Sequence, residues 1–249
     1  MDPYNAGTIV TAGLLCGGIN AVAGGGSLVL FPALVATGLG TLQANVTNSV
    51  ATWPGYIGGV AGFWADLKGQ KSNLWPLAMA TLCGSTTGCV LLLTTPTSAF
   101  DKVVPALVLF ASLLLAIQPH IKKWAGTPQN SRRARLGRCI GIFLATIYGG
   151  YFGGALGVIL IGVLALTLVD TLRRLNALKG ALSLVDSSVS VVIFGLFGPV
   201  DWMSVLVAAP STLLGGYLGA RLARRLPDKL LRWSVVVFGV GVATWLAFR

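Results

Sequence analysis

The stretch AVAGGGSLVLFP, residues 21–32, interrupts a long apolar run with three consecutive glycines, a serine and a proline. Each glycine costs a helix interior about 1 kcal/mol relative to alanine, and Pro32 removes a backbone donor. In hydrocarbon no water is present to satisfy freed backbone groups. A break is tolerated there only beside protein or a wet cavity. The stretch therefore marks a functional site or a place where helices approach closely.

The surroundings justify treating this as a membrane problem. The chain has 249 residues, 55% hydrophobic and 10% charged, where a soluble domain carries about 25% charged residues. So few charges cannot cover a water-facing surface. The apolar runs are continuous rather than alternating, which speaks for helices and against a β-barrel. The start MDPYNAGTIV lacks the basic region of a secretory signal, so the first apolar segment is expected to be retained. The net charge of +11 fits basic loops flanking spans, and no basic patch lies on a polar domain that would suit nucleic acid. Cys16, Cys83, Cys89 and Cys139 are scattered without a CxxC pair, and His120 is the only histidine, so neither a metal nor another cofactor is expected.

Apolar stretches cover residues 8–37, 44–65, 75–94, 102–119, 138–169, 174–198, 202–220 and 230–248. The basic linker HIKKWAGTPQNSRRARLG, residues 120–137, divides them into halves 1–119 and 138–249. The halves look duplicated. Gly26 to Asn45 spans the same length as Gly157 to Asn176, Gly84 and Gly88 match Gly215 and Gly219, and Asn20 falls opposite Tyr151.

Charge decides between two topologies. If every stretch crosses once, Lys and Arg divide nine to each side, against the positive-inside rule. If the two glycine-broken stretches enter and return on one side, the loops at 66–74, 120–138, 170–180 and 221–232 share a face. They then hold 16 of the 18 basic residues. Both termini would lie outside the cytoplasm. Stretches 8–37 and 138–169 also exceed the roughly 20 residues of one span and fall short of two, as two half-helices meeting at a break would. The expected fold is an all-α polytopic membrane protein of two inverted repeats, each a broken, re-entrant-like helical hairpin plus three transmembrane helices. Such repeats recur in secondary transporters, with the site at their interface.

Candidate binding residues follow from the breaks. Helix starts leave N–H groups without partners and carry partial positive charge, which suits an anion. Gly24, Gly25, Gly26 and Ser27 form one such cradle, and Gly153, Gly154 and Gly157 the other. The alternative for the glycines is close packing alone. ANVTNS supplies Asn45 and Asn48, and LNALKG supplies Asn176 and Lys179. Helix capping is the alternative for Asn45 and Asn176, and snorkelling to the interface for Lys179. Asp186 lies well inside a span, where an acid is a functional candidate by default. Proton coupling and a structural hydrogen bond are its two readings. Paired carboxylates, HExxH, GxSxG and the P-loop are all missing, which favours neither an enzyme nor direct ATP drive.

Together, AVAGGGSLVLFPALVATGL, ANVTNSVA, YGGYFGGALGVIL, LNALKGALSLV, VVIFGLFGPVDW and GGYLGARLARRLP resemble the TauE/SafE group of sulfite and organosulfonate exporters, over nearly the whole chain. The resemblance implies a bacterial inner-membrane transporter for sulfite, sulfoacetate or a related small sulfur-containing anion. The expected partners are that anion and the lipid bilayer, with a homodimer left open. Import of thiosulfate or another oxyanion on the same scaffold, or an anion channel, is the alternative.

Overall fold

A computed structural model describes residues 2–124, 132–168, 170–222 and 228–248. Helices occupy most of them, with no strand among the described residues. In the first half these are α1 (Pro3–Val22), α2 (Ser27–Ala36), α3 (Thr41–Gly62), α4 (Lys71–Thr94) and α5 (Thr97–Trp124). In the second they are α6 (Arg132–Tyr151), α7 (Leu156–Thr167), α8 (Leu172–Phe197), α9 (Trp202–Leu222) and α10 (Asp228–Ala247). Helix covers part of the expected 120–137 linker. Helix runs to Trp124 and resumes at Arg132, and residues 125–131 lie outside the described residues.

Polarity is arranged for lipid. Large apolar side chains face outward, among them Leu196, Phe197, Leu206 and Val237, while Asn45, Thr47, Asn48, Ser85, Asp186 and Thr212 are buried. Among the described residues five helices, within α1, α4, α5, α8 and α9, are long and apolar enough to cross a membrane. The chain is a multi-pass membrane protein.

The halves exchange partners in matched pairs. α1 packs on α9 as α6 packs on α4; α3 meets α9 as α8 meets α4; α2 touches α10 as α7 touches α5. The pairs α3–α8 and α5–α10 map onto themselves. Small residues make these contacts close. Gly17 lies against the Thr212 carbonyl and Gly215 against that of Leu14; Gly88 lies against the Ile147 carbonyl and Gly150 against that of Ser85.

Contacts at the helix ends bring particular junctions together. Arg138, near the start of α6, donates to the carbonyl of Thr167 at the end of α7 at 2.6 Å. Beside them, Arg173 pairs with Asp66 at 3.6 Å and the Gln70 amide donates to the Arg174 carbonyl at 3.1 Å. The α3–α4 junction and the base of the second hairpin therefore share one face. The opposite face gathers the α2–α3 and α4–α5 junctions, where the Thr41 hydroxyl donates to Asp101. The Thr41–Asp101 contact lies at the other end of α4 from the Arg173–Asp66 pair.

The arms of each hairpin are unequal, which corrects the expectation of two half-helices. α1 and α6 have 20 residues each, about 30 Å at 1.5 Å per residue. α2 has 10 residues and α7 has 12, or about 15 to 18 Å. The short arm doubles back along the long one: Val29 and Ala33 line a groove with Thr8, Thr11 and Leu15.

Candidate functional site

The two breaks use the same turn. Gly24 at φ +87° and Gly153 at φ +75° are both left-handed, the region that glycine enters without a Cβ penalty. In the first turn the amides of Ala23 and Gly24 both reach the Ile19 carbonyl, and in the second those of Phe152 and Gly153 both reach Tyr148. Gly24 is thus the counterpart of Gly153. The pairings of Gly26 with Gly157 and Asn20 with Tyr151 are two residues out of step at the breaks. The two extra residues of α7 restore the register by Asn45 and Asn176.

The breaks meet each other. A Cβ built on Gly24 would lie 2.6 Å from the Gly157 Cα, and one built on Gly157 would lie 2.7 Å from the Gly24 Cα. Close packing is what these two glycines provide here. Gly26 is likewise flush with the Cys16 carbonyl, and its amide donates to Asn20 Oδ1 at 2.8 Å. Gly25 packs on Leu115 and Gly154 on the Phe152 ring. Among the described residues the amides of Gly25, Ser27, Gly154 and Gly157 meet no acceptor, as expected of donors at the start of a helix.

Each long arm is capped by the other half. The Asn45 side-chain amide on α3 donates to the Tyr151 carbonyl at the end of α6, at 3.0 Å. The Lys179 ammonium on α8 donates to the Asn20 and Ala21 carbonyls at the end of α1, at 3.3 and 3.4 Å. A cation at a helix C-terminus is favourable, and Lys179 is only 3% exposed, so it is no snorkelling residue.

Between α3 and α8 lies a small cavity. Ser27 enters it from α2; Asn48, Ser49, Thr52 and Tyr56 from α3; Asp186, Ser187 and Ser190 from α8. Gly149, Gly153 and Leu156 close the remaining side. Its volume is about 10 Å³, room for about one water. Asp186 accepts a hydrogen bond from the Ser85 hydroxyl of α4. Asn48 Oδ1 and Asn176 Oδ1 are buried without a partner. An amide can be turned to present its donors instead.

Of the expected residues, Ser27, Asn48, Gly153 and Asp186 therefore share the cavity. Gly24 and Gly157 form the contact beside it, and Asn45 and Lys179 brace the helix ends. Asn176 is not among the residues that line the cavity. The hydroxyls of Thr52, Tyr56, Ser187 and Ser190 were missed. Their signal was a helical stripe, with Asn48, Thr52 and Tyr56 four residues apart and Ser183, Asp186, Ser187 and Ser190 one turn apart.

A family model described as Sulfite exporter TauE/SafE matches residues 9–246. A relative from Escherichia coli strain K12, "Probable membrane transporter protein YfcA", is 27% identical over 263 aligned residues, covering 100% of this chain and 91% of its own. A "Probable membrane transporter protein" of Haemophilus influenzae is 26% identical, covering 90% of this chain and 88% of its own. "Probable membrane transporter protein ORF9" of a Sinorhizobium species is 23% identical, covering 94% and 89%. No solved structure matches the chain significantly.

Proposed function

The chain belongs to the sulfite exporter TauE/SafE family of membrane transporters, and on that premise we propose that it exports a small sulfur-containing anion across a bacterial inner membrane by alternating access. Sulfite, sulfoacetate and related organosulfonates are the candidate substrates. The observation that carries this reading is the meeting of two helix breaks at the centre, with unpaired amides and buried hydroxyls beside them. Dehydrating an oxyanion is costly, and amides of Gly25, Ser27, Gly154 and Gly157 with the hydroxyl of Ser27 and the amide of Asn48 replace its water. Lys179 adds positive potential while its hydrogen bonds brace α1.

The cavity is small in this state. A sulfur oxyanion does not fit the space of one water, so binding requires the Gly24–Gly157 contact to part. Opening toward one hairpin base and then the other gives each face access in turn. The repeats are inverted, related by an axis in the membrane plane, with the Asp66–Arg173 face in the cytoplasm and both termini outside. The gathering of basic loops on that face supports this orientation. An anion moving alone is driven outward by the inside-negative potential, about 2.3 kcal/mol per charge per 100 mV.

The test is flux through the full-length protein in liposomes, with sulfite, sulfoacetate, thiosulfate and sulfate compared. Saturable flux of a sulfur anion above protein-free liposomes is expected. Equal leak of every anion tried, without saturation, would mean a channel.

A further inference from the structure

The scaffold is two-fold, but its chemistry is one-sided. Aligned through Asn45 and Asn176, the residue opposite Asp186 is Gly55, which packs against the Thr212 carbonyl. The first half has no acid at that place. Asp186 is 5% exposed and sits on the cavity wall. The Ser85 hydroxyl of α4 donates to its Oδ1. Gly149 of α6 is so near that a Cβ there would lie 2.8 Å from the same oxygen. The backbone is thus cut back to admit a carboxyl group.

Among the described residues the cavity lining contains no lysine or arginine. Tyr56 faces it from α3, and Cys89 from α4, the latter bonded to Ser190 at 3.5 Å. α7 contributes Leu156 to that wall. Lys179, two turns away on the same helix, directs its ammonium to the carbonyls of α1, and Arg173 pairs with Asp66 at the face. An ionised carboxylate and an oxyanion in one small buried space repel strongly. A protonated carboxyl instead donates a hydrogen bond to an anion oxygen.

We propose that Asp186 is the coupling site: it carries a proton whenever the anion occupies the cavity, so one proton and one anion cross together. The step moves a proton from water to the carboxylate on one face and back to water on the other. No other bond changes. This rests on the anion-transport reading above and alters its energetics. The charge moved is one less than the anion's own, so a monoanion crosses without net charge. Export then runs only while the anion's gradient exceeds the opposing pH gradient, and acid outside drives uptake.

The experiment uses full-length protein in liposomes and whichever of sulfite, sulfoacetate, thiosulfate or methanesulfonate moves fastest. The pH is chosen so that the anion's own charge is fixed. Isotope flux and reversal potential are read with potential and pH set independently. The expected result is a transferred charge one less than the anion's, and anion uptake driven by a pH step at zero potential. A carrier of the bare monoanion would shift its distribution about 50-fold per 100 mV; the coupled carrier leaves it unmoved. Asp186→Asn should abolish pH-driven uptake. Transferred charge equal to the anion's own, with flux blind to pH, overturns the coupling but leaves anion transport standing. So does a requirement for a sodium gradient in place of the proton gradient. No flux of any of the four above empty liposomes overturns both. The wild-type readings decide the matter even if the variant fails to fold.

Discussion

Gly24 and Gly157 touch backbone to backbone, each leaving less than 3 Å for a Cβ on the other. They come from different halves of the chain and lie 133 positions apart. Their contact joins the two helix breaks into one centre. It is also the contact that must open if an anion is to enter, which makes it sensitive to added volume.

Gly24→Val adds both strain and bulk. Its φ of +87° disfavours a β-branched residue, and the side chain would be driven into Gly157. Overpacking costs about 1–3 kcal/mol and a strained backbone about as much again. A lower melting temperature in detergent and loss of anion flux are expected. Gly153→Ala separates the two effects, because its nearest neighbour to a Cβ is the Gly149 carbonyl at 3.3 Å. It should lose less stability than Gly24→Val in the same melting assay.

Lys179→Met removes the ammonium from the Asn20 and Ala21 carbonyls. Hydrogen bonds to a charged group contribute about 1.5–3 kcal/mol, and leaving buried carbonyls unpaired adds to the loss. A lowered melting temperature is expected, with faster hydrogen exchange at the end of α1. A variant as stable as the wild type would mean that the ammonium does not brace that helix.

Asn45→Ala should behave alike in the other half, because the Asn45 amide caps α6 at Tyr151. The loss is smaller for a neutral donor, about 0.5–1.5 kcal/mol. Hydrogen exchange should rise at Tyr151 and Phe152 and stay unchanged at Asn20 and Ala21. The reverse pattern would contradict the crossed bracing.

The partly exposed Asp66–Arg173 pair contributes about 0–1 kcal/mol, so Asp66→Asn should barely change the melting temperature. Its use is topological. Single cysteines placed at 66 and at 173 in a cysteine-free chain should both react with a membrane-impermeant reagent from the cytoplasmic side. Labelling of the two from opposite sides would refute the hairpin topology.

Much of this architecture was legible in residues 21–32 and in the placement of Lys and Arg. Three consecutive glycines followed by a proline in an apolar run point to a break, and basic loops report their face. The register at the breaks was not legible, because a two-residue extension of α7 leaves no mark in a uniformly apolar segment. Nor was the partner of Asp186: Ser85 lies on another helix, 101 residues away, and serines are common there. The hydrogen bonds of Lys179 to the Asn20 and Ala21 carbonyls were not legible either, because a lysine announces its charge but not its direction. The stripe from Asn48 to Tyr56 was open to a helical reading and would have disclosed the cavity wall.

The most direct test of anion carriage at the paired breaks is counterflow. Liposomes containing the full-length protein are loaded with unlabelled sulfite and diluted into a trace of labelled sulfite. Alternating access predicts transient accumulation of label above equilibrium, lost in Gly24→Val. Entry of label that rises only to equilibrium, with the same rate whether or not sulfite is inside, would contradict the account.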